Sequence, residues 1–359
     1  SISQEPTSPT LPNFSPAEIL ALRRRPDFDA CHERAEYGKA AEIALEIHDA
    51  LSRENATGTI YIANLCNLAA SLALSGDPKR AKEFASNAAI DVHTQKLVQD
   101  SEFIVALNNL AMVLLQLGEH DTALKTIHTA LKEERTPEQE EELAIELSVA
   151  LSTKASILHE REITPEAIEN LERAITLLRK HPNDSARYKR TLGDRLLILG
   201  DMLCEEGRAA ESLPLYEEGI ALLKEALQAS NIKVAVALQY FAYAQLLCGD
   251  YVRSREVASE AIQIIEEERG ESDSLLFEPL LFLAISESYL STGNEGAHIL
   301  RAHHISNTFH DEPQTYQFLG AVGVALTPVG DEEFPEPISR LFMILEEEDD
   351  DPSEGHDPY

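Results

Sequence analysis

Residues Val105-Ala106-Leu107-Asn108-Asn109-Leu110-Ala111, followed by Leu114, Gly118 and Ala123, decide how this chain folds. Leu107, Leu110, Ala111 and Leu114 fall at i, i+3, i+4 and i+7, the apolar stripe of an amphipathic helix. Gly118 ends that helix, a polar turn follows, and Ala123 begins the inner face of a second one. The frame recurs along the chain. Upstream stands Leu65-Leu68-Ala69-Leu72 with Gly76 and Ala81. Downstream stand Leu151-Lys154-Ala155-Leu158 with Glu162 and Ala167, Leu196-Leu199-Gly200-Leu203 with Gly207 and Ser212, and Leu238-Phe241-Ala242-Gln245 with Gly249 and Ser254. The last copy is Phe282-Ile285-Ser286-Tyr289 with Gly293 and His298. Only Lys154 and Gln245 interrupt the stripe. The third member of each quartet is Ala, Gly or Ser, small enough for two helix axes to approach to about 8–9 Å. A hairpin of this kind cannot bury its apolar side alone, so the copies must stack.

Composition agrees. Among 359 residues there is no Trp, and aromatics make up only 6%. The core must therefore be built from Leu, Ala and Ile, which favours close-packed helices. Against 30 Lys and Arg stand 63 Asp and Glu, a formal charge of −33. That surplus opposes binding to phosphate backbones and to anionic membrane surfaces. No apolar run is long enough to span a bilayer; the best, Phe318 to Leu326, reads as a core helix. Cys31, Cys66, Cys204 and Cys248 are scattered without a CxxC pair, which argues against a disulfide framework or a zinc knuckle and for a reducing compartment. The chain opens at Ser1, consistent with a trimmed start or a removed targeting peptide, so cytoplasmic and organellar locations both stand.

Between Ala69, Ala111, Ala155, Gly200, Ala242 and Ser286 the steps are 42, 44, 45, 42 and 44 residues. On these hairpins and spacings the chain resembles the tetratricopeptide repeat family. The phrases Val105-to-Ala111 and Glu211-Ser212-Leu213-Pro214-Leu215-Tyr216 are similar to its longer variety in kinesin light chains. The common form has 34 residues, so each helix here gains roughly a turn. The resemblance covers about residues 60–306 in six repeats, with a degenerate seventh near 27–52. It implies an all-α, right-handed solenoid of about seven hairpins, and a concave groove lined by the first helix of each pair. A subclass of the family clamps a C-terminal carboxylate. Of its positions only Asn109 and Lys154 match here, with Cys66 and Ala70 where Lys and Asn are needed.

Four segments follow: a disordered tail over 1–13, the solenoid over 14–306, capping helices over 307–345, and a disordered acidic tail over 346–359. Ser15-Pro16-Ala17-Glu18 is a capping box that starts the first helix, and Arg23-Arg24-Arg25-Pro26 is expected to end it. Thr136-Pro137-Glu138-Gln139 starts a long first helix in the fourth repeat. Helices are expected over 314–326 and 336–346, closing the open end that any solenoid must cover. His298 fills a slot that holds Ala or Ser in the earlier copies, so the last unit is expected to pack differently.

Chemistry finds little footing. G-x-S-x-G, P-loop, G-x-G-x-x-G and H-E-x-x-H patterns are all absent. His298, His303, His304 and His310 crowd together, yet no two stand at i, i+4, so no metal site is expected. No catalytic residue and no cofactor are expected either. Binding is the stronger expectation. By the geometry the resemblance implies, residues beside the quartets face inward: Asn67, Asn108, Asn109, Met112, Ser152, Ser156, Gln239, Tyr240 and Tyr243, with His159, Asp194, Leu197 and Asp201 nearby. An Asn amide both donates to and accepts from an extended peptide, although Asn also bridges helices locally. Arg179, Lys180, Arg187, Lys189, Arg190 and Arg195 form a basic cluster. Arg187 and Arg190 share a face with Asp194 and Asp201, either as a site for an acidic peptide or the chain's own tail, or as a simple Arg190–Asp194 pair. The expectation is a non-enzymatic scaffold that binds a protein or peptide of basic surface. A fixed subunit of a large, even organellar, assembly and a peptide-sensing regulator are the alternatives.

Overall fold

The computed structural model describes residues 14–34, 36–94, 101–132, 135–309 and 314–349. Residues 1–13 and 350–359, where loose tails are expected, lie outside them. The described residues form 17 α-helices and no strand. Seven hairpins account for most of them: α1 (Pro16–Glu33) and α2 (Tyr37–Arg53), α3 (Thr59–Leu74) and α4 (Pro78–Thr94), α5 (Ser101–Gln116) and α6 (His120–Leu131). A short α7 (Pro137–Glu142) precedes the fourth pair, α8 (Ala144–Glu160) and α9 (Thr164–Lys180). Then come α10 (Ala186–Glu205) and α11 (Ala209–Ala226), α12 (Ile232–Leu247) and α13 (Tyr251–Arg269), and α14 (Phe277–Leu290) and α15 (Glu295–Phe309). Two further helices, α16 (Thr315–Leu326) and α17 (Glu336–Asp349), end the described chain. The contacts divide it into two compact units, Ser1–Leu177 and Leu178–Tyr359.

Within each unit the quartets are the core. Apart from Lys154 and Tyr289, every quartet member is buried. In the first unit Leu65, Leu68, Leu107, Leu110 and Leu114 are wholly shielded, as are the facing Ala81 and Ala123. In the second unit the close approach is visible atom by atom. Ser254 Oγ donates to the Ala242 carbonyl at 2.9 Å. A Cβ placed on Gly200 would stand 3.1 Å from the Tyr216 ring. One placed on Gly193 would stand 3.0 Å from the Gly219 carbonyl oxygen, so α10 and α11 meet backbone to backbone.

The turns follow one rule. Gly76, Gly118, Gly207, Gly249 and Gly293 have φ between 73° and 88°. The remaining copy, in the fourth hairpin, has Glu162 there, at φ 60°. A side chain in this left-handed region costs roughly 1 kcal/mol, which glycine avoids. Glu162→Gly should therefore stabilise the first unit by about 1 kcal/mol in urea titration. An unchanged or lower stability would mean that the Glu side chain makes a compensating contact.

Both capping boxes form. Glu18 N–H donates to Ser15 Oγ at 3.2 Å and Ser15 N–H to Glu18 Oε2 at 2.8 Å. Thr136 and Gln139 exchange the same pair at 3.0 and 3.3 Å. Three boundaries differ from expectation. Helix α1 does not stop at Pro26; it continues to Glu33 because Phe28 and Cys31, beyond the proline, are buried. The first helix of the fourth repeat is broken at Leu143, which leaves helical geometry at φ −101°, ψ 8° between α7 and α8. Helix α17 runs to Asp349, so the first four acids of the 346–359 stretch are helical. Asp349 Oδ2 accepts from the Tyr316 hydroxyl at 2.6 Å and its Oδ1 lies 3.3 Å from His303 Nε2. Ile338, Leu341 and Leu345 of α17 are fully buried in the second unit's core, as a cap requires. His298 Nε2 faces Glu287 Oε2 at 3.3 Å, an ionisable contact in place of the small-residue packing of earlier copies.

Candidate functional site

The first unit carries a groove on its first helices. A cavity of about 530 Å³ is lined by Arg25 and Phe28 of α1, Asn67 and Leu74 of α3, and Asn109, Met112 and Gln116 of α5. A second cavity of about 310 Å³ shares Arg25, Phe28, Asp29 and Asn67 with it. Asn109, Met112, Val113 and Gln116 stand at i, i+3, i+4 and i+7, a second stripe set two positions beyond the apolar quartet. Asn67, Ala70 and Leu74 repeat it one hairpin earlier. Arg25 is held by Asp29, Nε to Oδ1 at 2.9 Å. Met112 is 36% exposed, and Asn67 and Asn109 are half-buried. Among the described residues, neither Asn side chain makes a hydrogen bond within the protein.

The second unit has its own groove. A cavity of about 400 Å³ is lined by Asp194, Leu197 and Asp201 of α10 and by Lys233, Val236 and Tyr240 of α12, and Arg195 and Arg269 also line it. Burial pushes the Asp194 carboxyl up, with Arg195, Lys233 and Arg190 opposing it. Burial pushes Asp201 up to about 6, against the stabilising hydrogen bond from the Tyr216 hydroxyl. Burial also raises the Tyr216 phenol, helped by the neighbouring Asp201, so it stays protonated and donates. Tyr240 is 42% exposed on the rim.

Other expected groove residues lie elsewhere. Asn108 is buried and its Oδ1 accepts from Thr153 Oγ1 at 2.5 Å, tying α5 to α8. Gln239 is buried, and its Nε2 donates to Glu278 Oε2, tying α12 to α14. Ser152 is also buried. All three stand one position beyond the quartet's first residue, and that extra 100° of rotation points them at the next hairpin. Ser156 is half-buried and spends its hydroxyl on the Ser152 carbonyl at 3.2 Å. Tyr243 is half-buried and stacks on Phe282 with centroids 5.4 Å apart. Lys154 does not join Asn109; it lines a separate cavity with α6 and α9.

The basic cluster is largely satisfied by the chain itself. Arg179 pairs with Glu218 at 2.6 Å, and Lys189 with Asp184 and Glu225 at 2.6 and 3.1 Å. Arg187 and Arg190 are exposed, and Arg190 acts on Asp194 through space without a close ion pair. Sequence reasoning missed Arg25, Gln116, Lys233 and Val236. The signal was available for the last three: Gln116 is four past Met112, while Val236 and Lys233 are four and seven before Tyr240. Among the described residues no group of three or more His, Cys, Asp or Glu side chains is placed to hold a metal, and no helix is long and apolar enough to cross a membrane.

Stacked hairpins with a groove on the first helices define a helical-repeat protein. The tetratricopeptide repeat model matches residues 104–127, the stretch that includes the first-unit groove stripe of α5. The fold is similar to that of the apo form of RapI, with TM-score 0.63 at 14% identity over 91% of this chain and 87% of that one. It is similar to the apo form of the quorum sensor NprR from B. thuringiensis, with TM-score 0.60 at 12% identity over 93% and 89%. A Rap protein complexed with Competence and Sporulation Factor matches with TM-score 0.51 at 14% identity over 93% and 88%. No curated protein matches the sequence.

Proposed function

We propose that this chain is a non-enzymatic adaptor that holds an extended segment of another protein along its first-helix grooves. One observation carries the reading: Asn67 and Asn109, one hairpin apart, line a single cavity with amides that no described residue uses. Two such amides can donate to and accept from successive peptide groups of an extended chain, whatever its side chains. Met112 supplies adaptable apolar contact beside them. The net charge of −33 and the desolvated Asp194 and Asp201 favour a basic segment, since an incoming cation would offset the burial of either carboxylate.

The peptide-sensing reading gains support from the fold shared with a quorum sensor and with a Rap protein solved in complex. The fixed-subunit reading predicts contacts that survive salt, whereas a charge-steered adaptor loses its partner as salt rises. Affinity capture with wild type beside an Asn67→Ala, Asn109→Ala double variant tests the groove. The double variant should lose the captured partners while remaining folded. An unchanged set of partners would move the contact surface off this face.

A further inference from the structure

The apolar quartet of the fourth hairpin breaks at Lys154, where the other five have Leu68, Leu110, Leu199, Phe241 and Ile285. Lys154 is half-buried and lines a cavity of about 670 Å³. Lys125, His128 and Lys132 from α6 and its end, and Arg173 from α9, share that cavity. Lys125, His128 and Lys132 stand at i, i+3 and i+7, one face of a helix. Leu131 and Leu151 supply its apolar lining. In a chain with 63 carboxylates, cations elsewhere find partners: Arg161 with Asp121, Arg179 with Glu218, Lys224 with Glu260. Here, among the described residues, Lys125, Lys132, Lys154 and Arg173 make no ion pair. Burial and then Arg173 hold the Lys154 amine below its usual range, with Glu166 and Glu169 of α9 pulling the other way. Burial and then Lys154 lower His128 likewise.

We propose that this cavity between α6, α8 and α9 binds a phosphate-bearing ligand. Four cations line the cavity against Glu166 and Glu169 of α9, which leaves an excess of positive charge. A phosphate group brings about −1.5 to −2 charges and three acceptor oxygens, suited to the fork of Arg173 and the point charges of the lysines. Replacing the quartet's apolar residue by Lys154 weakens the local core, and a bound anion restores what that placement loses. The site is separate from the first-helix groove, so it stands whether or not that groove binds a peptide. The phosphate has two possible sources, a small polyphosphorylated molecule or a phosphorylated side chain of a partner protein.

Titration calorimetry in about 0.1 M salt, where exposed charges are already screened, provides the test. The probes are tripolyphosphate, a phosphoserine peptide, and citrate as a carboxylate control. Wild type should bind at least one phosphate probe saturably at one site, and citrate more weakly. Tighter binding of the peptide assigns the source to a phosphoprotein; tighter binding of tripolyphosphate assigns it to a small anion. Lys154→Leu should weaken binding about tenfold or more, the loss of one charged hydrogen bond, while its melting temperature holds or rises. The exposed pair Lys125→Ala, Lys132→Ala should weaken binding with the fold intact. No saturable binding of either phosphate probe overturns the proposal. Wild-type affinity in the Lys125→Ala, Lys132→Ala variant does so too, as does citrate binding as tightly as the phosphates.

Discussion

Leu110→Ala should destabilise the first unit by about 3 kcal/mol, within the range for truncating a fully buried Leu. Leu110 has no exposed surface and belongs to a cluster with Leu107, Ala111, Leu114 and Ile127. Its α5 stripe packs on both the preceding and the following hairpins, so the side chains around the resulting void cannot all collapse into it. Met112 lies two residues on and is 36% exposed. Met112→Ala should change stability by less than about 0.5 kcal/mol, as surface truncations do, while lowering partner capture. Urea titration of the two variants side by side separates the stripe that folds the chain from the stripe that faces outward. Equal losses would mean that the two stripes have been assigned to the wrong sides of α5.

Asp201→Asn should stabilise the second unit at neutral pH and leave it unaltered in acid. The Asp201 carboxyl sits at about 6 in the folded protein, against about 3.9 in an unfolded chain. Between those values the native state holds the extra proton, so Asp201 lowers stability progressively as pH rises from about 4 to about 6. Asn carries no charge and keeps an acceptor oxygen for the Tyr216 hydroxyl. The variant should match wild type near pH 4 and exceed it by about 2 kcal/mol above pH 7, less than the full shift because the side chain keeps some contact with water. A difference that is the same at every pH would show that Asp201 ionises normally.

The hairpins, their glycine turns and their cores were legible because each is written by a repeating interval of three and four residues. Phe28 and Cys31 show where that reading fails. Their burial carries α1 past Pro26, and no local signal around the arginines announces a tertiary contact. The groove was legible only in part. Asn67, Asn109, Met112 and Tyr240 stand two or five positions beyond the start of their quartets and face it. Asn108, Ser152 and Gln239 stand one position beyond, and each is less than 10% exposed. On a stacked array a single step of 100° turns a side chain from the open groove into the joint with the next hairpin. Local polarity does not distinguish these two fates, since amides and hydroxyls serve both. Lys154 was visible as a broken stripe, but its companions from α6 and α9 come from separate helices and only the fold assembles them.

Gly193 and Gly219 bring two main chains together with nothing between them. Most helix joints contain side chains that can swing to another rotamer and absorb a push. Here the backbones touch directly and Leu197 and Leu223 only flank the contact, so α10 and α11 should move largely together. Asp194, Leu197 and Asp201 stand on α10. A guest that presses on them would displace α11 along with α10, and the second unit's groove would report its occupancy on its far side.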